Sequence, residues 1–447
     1  MIIRNHMQHF ARLSLWTLAI TLTLWSASAP VRAQSLDSFD RERGRMMLNN
    51  VKNEIKKNYY DPGFHGLDVD ARFKTADEKI KQATSLGQVF GIIAQAVLDL
   101  NDSHTFYIPP DRATRFNYGW QMQMIGDKCY VVAVKPGSDA EAKNLKVGDM
   151  VLSVSGYAPT RDNFWKMKYL FNTLRPQPGL HVEAKSPDGS LRQLDILAKV
   201  TQGKKVVNLT GSQGASDIWD LIRESENEDH LNRHRYAETD EVFIWKMPRF
   251  DLDESGIDDM MGKVNKHKAL ILDLRGNPGG YLVTLQRLLG YFVDKDVKIF
   301  DEKLRKETKP LIAKARDHGF KGKLVVLVDN QSGSSAELFA RMAQLEKFGT
   351  VIGDRTPGAV MAARQYPLQV GTDTVIFYGA SITVADLIMT DGKSLEGVGV
   401  TPDETVLLTG SDLAAKRDPV LARAAAIVGY KLDPEKAGAM FPIEWRK

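Results

Sequence analysis

Nine consecutive residues, Asp329-Asn330-Gln331-Ser332-Gly333-Ser334-Ser335-Ala336-Glu337, join an apolar run to a segment of helical periodicity. A serine in the first turn of a helix faces backbone N–H groups that lack intrahelical partners, at the positive end of the helix dipole. Both favour an alkoxide nucleophile and the oxyanion formed by its attack, which are the demands of acyl transfer. Ser334-Ser335-Ala336-Glu337 is also a capping box, in which the serine does no more than start a helix. This turn alone leaves the two roles open.

Two further segments could supply what such a serine needs. Asp273-Leu274-Arg275-Gly276-Asn277-Pro278-Gly279-Gly280 closes the apolar run Ala269-Leu270-Ile271-Leu272. Its glycines permit positive φ and a close backbone approach, so free N–H groups of Gly279 and Gly280 could hold an oxyanion or a phosphate. The spacing is neither a Walker nor a Rossmann fingerprint, and an ordinary tight turn is the plain alternative. Ser103-His104, in Leu100-Asn101-Asp102-Ser103-His104-Thr105, sets an imidazole beside a hydroxyl and a carboxylate. That suits a general base with an orienting partner, or a structural capping histidine. His230 and His234 have helical i,i+4 spacing but sit in a solvated charge run, which argues against a metal pair. No metal or organic cofactor is expected.

The elements that must position these groups show in the periodicity. Residues 40–100 carry charged segments with apolar residues at helical spacing, broken at Asp61-Pro62-Gly63. From Tyr118 to about Val200 short alternating runs and glycine-bearing turns predict strands. Residues 236–410 alternate strand and helix, as an α/β core with a buried sheet does. The predicted strands are EVFIWKM, ALILDL, KLVVLV and TVIG, with helices after GNPGG and over SAELFARMAQLEK.

Composition bounds the rest. Across 447 residues, 60 basic and 56 acidic side chains nearly balance, and no dense basic run supports nucleic-acid binding. Arg4 and Arg12 precede the apolar stretch Leu13–Trp25, and Val31-Arg32-Ala33 follows it. That is the layout of a secretory signal over residues 1–33, and its apolar stretch of 13 residues falls short of the roughly 20 a membrane span needs. No later segment is long and apolar enough to span, so a periplasmic or secreted location is expected. The single cysteine, Cys129, excludes an intrachain disulfide, and its alternating run predicts a buried structural thiol.

Taken in order, the motifs resemble the serine peptidases that include the C-terminal processing (tail-specific) proteases and the tricorn core proteases. L-N-D-S-H-T at 100–105, D-L-R-G-N-P-G-G at 273–280 and S-G-S-S-A-E at 332–337 carry the resemblance. V-I-G-D-R-T-P-G at 351–358 and L-E-G-V-G-V-T-P-D at 395–403 complete it. The resemblance implies Ser334 as nucleophile and an oxyanion hole from the Gly279-Gly280 turn and Ser335. The processing branch takes its base from a lysine, but here Ala359 stands at that position and Ala363 replaces a following glutamine. The tricorn-like branch uses a histidine preceded by serine, which implies His104 with Ser103. Glu396 is the implied acidic member, with Asp102 and Asp391 as alternatives.

The same resemblance implies a multidomain α/β protein: an N-terminal helical region over 34–112, a PDZ-like small β domain over 113–200, a connector over 201–235, a ClpP/crotonase-like α/β catalytic core over 236–430, and a tail over 431–447. In the PDZ-like stretch Tyr118-Gly119-Trp120-Gln121 is the implied carboxylate loop, so the expected partners are protein or peptide substrates met through free C-termini. An exported serine endopeptidase is the leading expectation. A PDZ-bearing scaffold without activity, or an esterase or crotonase-like enzyme, are the rivals.

Overall fold

The computed structural model describes residues 36–112, 114–202 and 230–445. The secretory signal expected over 1–33 and most of the expected connector lie outside the described residues.

The chain opens with three helices, α1 (Ser38–Asn58), α2 (Val69–Lys81) and α3 (Leu86–Leu98). Each starts on a side-chain cap, from Asp37, Asp68 and Ser85, which satisfies one orphan N–H of the first turn. Met47, Leu48, Val51 and Ile55 of α1 recur at helical spacing and are buried. After α3 the backbone turns left-handed at Asn101 (φ 56°) and enters the Asp102–Thr105 turn. Strands β1 (Phe106–Ile108) and β2 (Thr114–Asn117) follow.

A small β module comes next: β3 (Trp120–Ile125), β4 (Lys128–Val134), α4 (Asp139–Ala142), β5 (Met150–Val154), α5 (Phe164–Tyr169), β6 (Gly179–Lys185) and β7 (Leu191–Leu197). The five strands form one antiparallel sheet in chain order, leaving β3 as an edge. Cys129 is buried in it, and burial pushes its thiol above the ordinary range. Strand β8 (Lys199–Gln202) then pairs antiparallel with β2, so the module's entry and exit strands are zipped together.

The core is built from β9 (Arg235–Glu238), β10 (Val242–Lys246), α6 (Glu254–Val264), β11 (Ala269–Asp273), α7 (Leu282–Leu289), β12 (Val297–Leu304), β13 (Thr308–Ala313), β14 (Lys323–Val328), α8 (Ser335–Leu345), β15 (Thr350–Gly353), β16 (Met361–Val370), β17 (Ile376–Met389), β18 (Glu404–Thr405), α9 (Gly410–Ala414), α10 (Pro419–Val428) and α11 (Pro434–Met440). Its main sheet runs β18-β15-β14-β11-β10-β9, parallel except for β9. Helices cover both faces. Leu270 and Leu272 pack with α6, α7 and α8, whereas Ala269 and Ile271 pack with Val420, Leu421 and Ala424 of α10. That two-sided burial is why these strands read as unbroken apolar runs.

Three features depart from the sequence reading. A second sheet, in which β17 pairs with β1, β12 and β16 while β12 also pairs with β13, was not anticipated. Its exposed faces alternate too weakly to stand out from loops. Strand β1 lies in the region expected to be purely helical, so that region shares a sheet with the core. Residues 434–440 of the expected tail form α11, whose N-cap Asp433 and Pro434 are ordinary helix-start signals.

Candidate active site

Ser334 sits between β14 and α8 with φ 51° and ψ −120°. An ordinary capping serine adopts extended geometry, and a non-glycine residue held at these angles costs about 1–3 kcal/mol. A plain helix start does not require this geometry. Strained strand-to-helix turns of this kind lift a nucleophile off the end of a sheet. The side chain of Ser334 is only partly buried, while Ser335, Ala336 and Glu337 are fully buried.

Three side chains hold that geometry, Glu337 and Asn277 fully buried and Asp329 half-buried. The Glu337 carboxylate accepts hydrogen bonds from the N–H of Ser334 (3.2 Å), Gly358 (2.8 Å) and Ala359 (2.9 Å), and from Thr356 Oγ1 (2.5 Å). Burial nevertheless pushes its carboxyl up to about 7. Asn277 joins the two turns: its Oδ1 accepts from Gly279 N–H (2.7 Å), and its carbonyl accepts from Gly333 N–H (2.8 Å). Asp329 accepts from Gly276 N–H, Gln331 N–H and Ser332 Oγ through one oxygen, and from Gln123 Nε2 of β3 through the other (2.7 Å).

The glycine turn lies directly against Ser334. A Cβ on Gly279 (φ 101°) would stand 2.6 Å from Ser334 Cβ and 2.9 Å from Ser335 N, and one on Gly280 would stand 2.3 Å from Phe250 O. Only glycine permits both approaches. The N–H of Gly279, however, is already taken by Asn277, which removes it from the expected oxyanion donors. Among the described residues the N–H groups of Gly280 and Ser335 have no hydrogen-bond acceptor, so these two remain for an oxyanion.

The histidine turn is built by a different acid. Asp102 Oδ1 accepts from the N–H of His104 (2.9 Å) and Thr105 (2.6 Å) and from Thr383 Oγ1, while Oδ2 accepts from Tyr59 OH. Asp102 thus shapes the backbone of the turn. Ser103 Oγ lies 2.7 Å from His104 Nδ1 and donates to Glu396 Oε2 at 2.9 Å. Glu396 also accepts from Ser103 N–H (2.7 Å) and Val360 N–H (2.9 Å). Of the three acids weighed from sequence, Glu396 is the one at this serine. Asp391 instead pairs with Arg341 at 2.6 Å. When Glu396 is ionised, the Ser103 hydroxyl gives it its one proton, so His104 Nδ1 carries a proton and donates to Ser103, and Nε2 is the nitrogen that can act as a base. Burial, together with the nearby Asp102 charge, pushes the Glu396 carboxyl up to about 8.

Adjacent residues link the two halves. The carbonyl of Ala359 accepts from Ser334 N–H (2.9 Å), and the next residue, Val360, donates to Glu396. Ala359 is buried here, in the position where the resemblance led us to look for a lysine. Sequence reasoning missed the hub role of Glu337, although its capping-box spacing was the available signal.

In the small module, Tyr118 is fixed through its hydroxyl to the backbone of Gln177 (3.0 Å), and Gly119 N–H donates to Asn117 Oδ1 (2.8 Å). The Gly119 N–H expected to receive a carboxylate is therefore occupied. Trp120 and Gln121 do line a groove between edge strand β3 and the α5 side, with Lys168 and Phe171 opposite. Three of the four residues expected there, Tyr118, Trp120 and Gln121, contribute side chains rather than a free loop amide.

Comparison with known proteins follows the same lines. Residues 243–406 match peptidase family S41. The chain is similar to a probable CtpA-like serine protease of Staphylococcus aureus (strain bovine RF122 / ET3-1), 24% identical over 362 residues and covering 76% of this chain. It spans about 62% of the length of that relative. Its fold is similar to mature CPAF, with a TM-score of 0.63 at 15% identity over 84% of this chain and 95% of that one. It is also similar to the photosystem II D1 C-terminal processing protease, with a TM-score of 0.51 at 16% identity over 89% and 99% of the two chains. At such identities these structures speak for the fold alone: multidomain α/β with N-terminal helices. The family match spans residues 243–406, with the serine and glycine turns inside it, so this part of the chain is similar to peptidase family S41.

Proposed function

We propose that this protein is an exported serine endopeptidase that hydrolyses peptide bonds through an acyl-enzyme on Ser334. The observation that carries the reading is the hydrogen-bonded series Glu396–Ser103–His104, anchored at Val360 beside the residue that holds Ser334. Ser334 Oγ attacks the scissile carbonyl while His104 Nε2 takes its proton. The oxyanion is met by the N–H groups of Gly280 and Ser335. His104, now an imidazolium stabilised through Ser103 by the Glu396 charge, gives the proton to the leaving amine. A water then attacks the ester by the reverse proton path and frees Ser334.

The β3–β7 module is read as PDZ-like, receiving substrate C-termini along edge strand β3, and the two-sheet core as ClpP/crotonase-like. Export to a periplasm or beyond is supported by the layout of residues 4–33, a basic head, an apolar stretch and Val31-Arg32-Ala33. A fluorophosphonate probe tests the catalytic claim: wild type is labelled, and Ser334→Ala and His104→Ala are not. A folded wild type that takes no label would favour the rival reading, a silent peptide-binding scaffold, for which Ala359 in place of a lysine is the motivating observation.

A further inference from the structure

The groove beside β3 has a wall that comes from outside the small module. Trp445 lines it together with Tyr118, Trp120, Met122, Lys168 and Phe171. It reaches the groove on a strap of residues 441–445 that runs alongside residues 230–235. Leu231 N–H donates to Glu444 O at 2.9 Å, and His230 and Trp445 form an antiparallel bridge with their rings 4.0 Å apart. Arg233 pairs with Glu444 at 3.0 Å. The Arg235 guanidinium donates to the carbonyls of Pro442 (2.7 Å) and Phe441 (3.3 Å) and lies over the Phe441 ring.

We infer that the segment Phe441–Trp445 is a built-in occupant of this groove that competes with incoming peptide. The inference rests on the reading of the groove as a peptide site and adds its regulation. Two observations argue that the strap is releasable rather than a fixed wall. Its ion pair is exposed, with Arg233 at 64% side-chain exposure, and such pairs are weak and screened by salt. Ile443, in the middle of the strap, is also exposed. A third observation says what displaces it. Trp120 also lines the groove, and its indole N–H is buried without a hydrogen-bond partner, so none of the groove's present neighbours, Trp445 included, satisfies this donor. A peptide that presents a carbonyl or carboxylate there gains a bond that the strap does not make.

The test uses the Ser334→Ala chain, so that no ligand is consumed, and a fluorescein-labelled peptide of residues 438–447, GAMFPIEWRK. Anisotropy should show binding to a chain ending at Met440. A tethered occupant acts at an effective concentration of order millimolar, so the full chain should bind the same peptide at least about tenfold more weakly. Trp445→Ala and Glu444→Ala in the full chain should each recover part of that loss, the second without removing any groove contact. Met122→Asp, which puts a charge in the groove, should abolish binding to the shortened chain. Equal affinity of the full and shortened chains overturns the inference, as does binding that survives Met122→Asp. A library of free-carboxylate decapeptides on the shortened chain separates the two readings. If library members bind in a Met122-dependent way and GAMFPIEWRK does not, the strap is wrong and the groove reading stands. If neither binds, both fall.

Discussion

Around Ser334, Glu337 receives four donors, Asn277 stitches one turn to the other, and Asp329 is saturated by the base of the glycine turn and by β3. In the groove of the small module, Trp120 Nε1 is left without a partner, and the strap beside it hangs on exposed Arg233 and half-buried Arg235. The difference follows from what each region must do. Chemistry on a carbonyl needs a nucleophile and donors held in place before the charge develops, because a small displacement removes the rate advantage. If the groove admits different chain ends, as proposed, it must give up its contacts easily, and its apolar wall and weak tethers suit that. The chain invests its buried hydrogen bonds at the first site and spares them at the second.

Experiments can break this contrast or sharpen it. The largest effect is expected at the nucleophile: Ser334→Ala should lower kcat/KM on a peptide substrate by about 10⁴–10⁶ while leaving the unfolding midpoint nearly unchanged. A loss of a few fold would mean that Ser334 only caps α8. Glu337→Ala should act the other way round, on stability first. It leaves four buried donors without an acceptor, and a urea titration should show a loss of about 3–5 kcal/mol. A loss below about 1 kcal/mol would remove Glu337 as the hub of the rigid half.

Third is the dependence on pH. The carboxyls of Glu337 and Glu396 are raised to about 7 and about 8 from an ordinary value of 4.5, so the folded chain favours their protonated forms. The stability they contribute is fully present below about pH 4.5 and is lost as pH rises through 7 to 8. Catalysis needs the opposite state. A protonated Glu396 donates to Ser103, turns the serine hydroxyl towards His104 Nδ1, and leaves the imidazole in the wrong tautomer to act as a base. Activity should therefore rise through about pH 8 while the urea midpoint falls over the same window. Glu396→Gln should lower kcat by about 10²–10³ and abolish that rise; an unaltered alkaline limb in this variant would exclude Glu396 from the relay. The smallest effect is expected where the two regions touch. Gln123→Ala removes the bond from β3 to Asp329 and should cost about 1 kcal/mol. If its effect on activity exceeds its effect on stability, the groove and the glycine turn are coupled through that contact.

Much of the site was legible in the chain itself, and for local reasons. β11 and β14 are buried on both faces, so they appear as the apolar runs that end at Asp273 and Val328. The turns that follow carry glycine, proline and serine, because only these residue types permit the close approaches and capping found there. β16 was not legible, since a strand with a wet face resembles a loop in a short window; β17 has no exposed residue, and Gly379, Ala380 and Ser381 interrupt its apolar run. Nor was α11 taken for more than a tail.

What residue types and order determined by themselves was the list of participants: Ser334 at a strand-to-helix turn, the glycine turn, Ser103-His104, and an alanine where a lysine base would stand. Tertiary structure decided which of these candidates meet. Ser103 and Glu396 lie 293 positions apart and meet only when β1 pairs with β17 and the 395–400 loop is fastened to Thr356 and Gly358. The same folding gave Gly279 N–H to Asn277, Asp391 to Arg341 and a place in the groove wall to Trp445. Spacing along a chain encodes the periodicity of one element and the chemistry of one turn. Which donor meets which acceptor across the fold is set by the packing of distant elements, and no local window contains it.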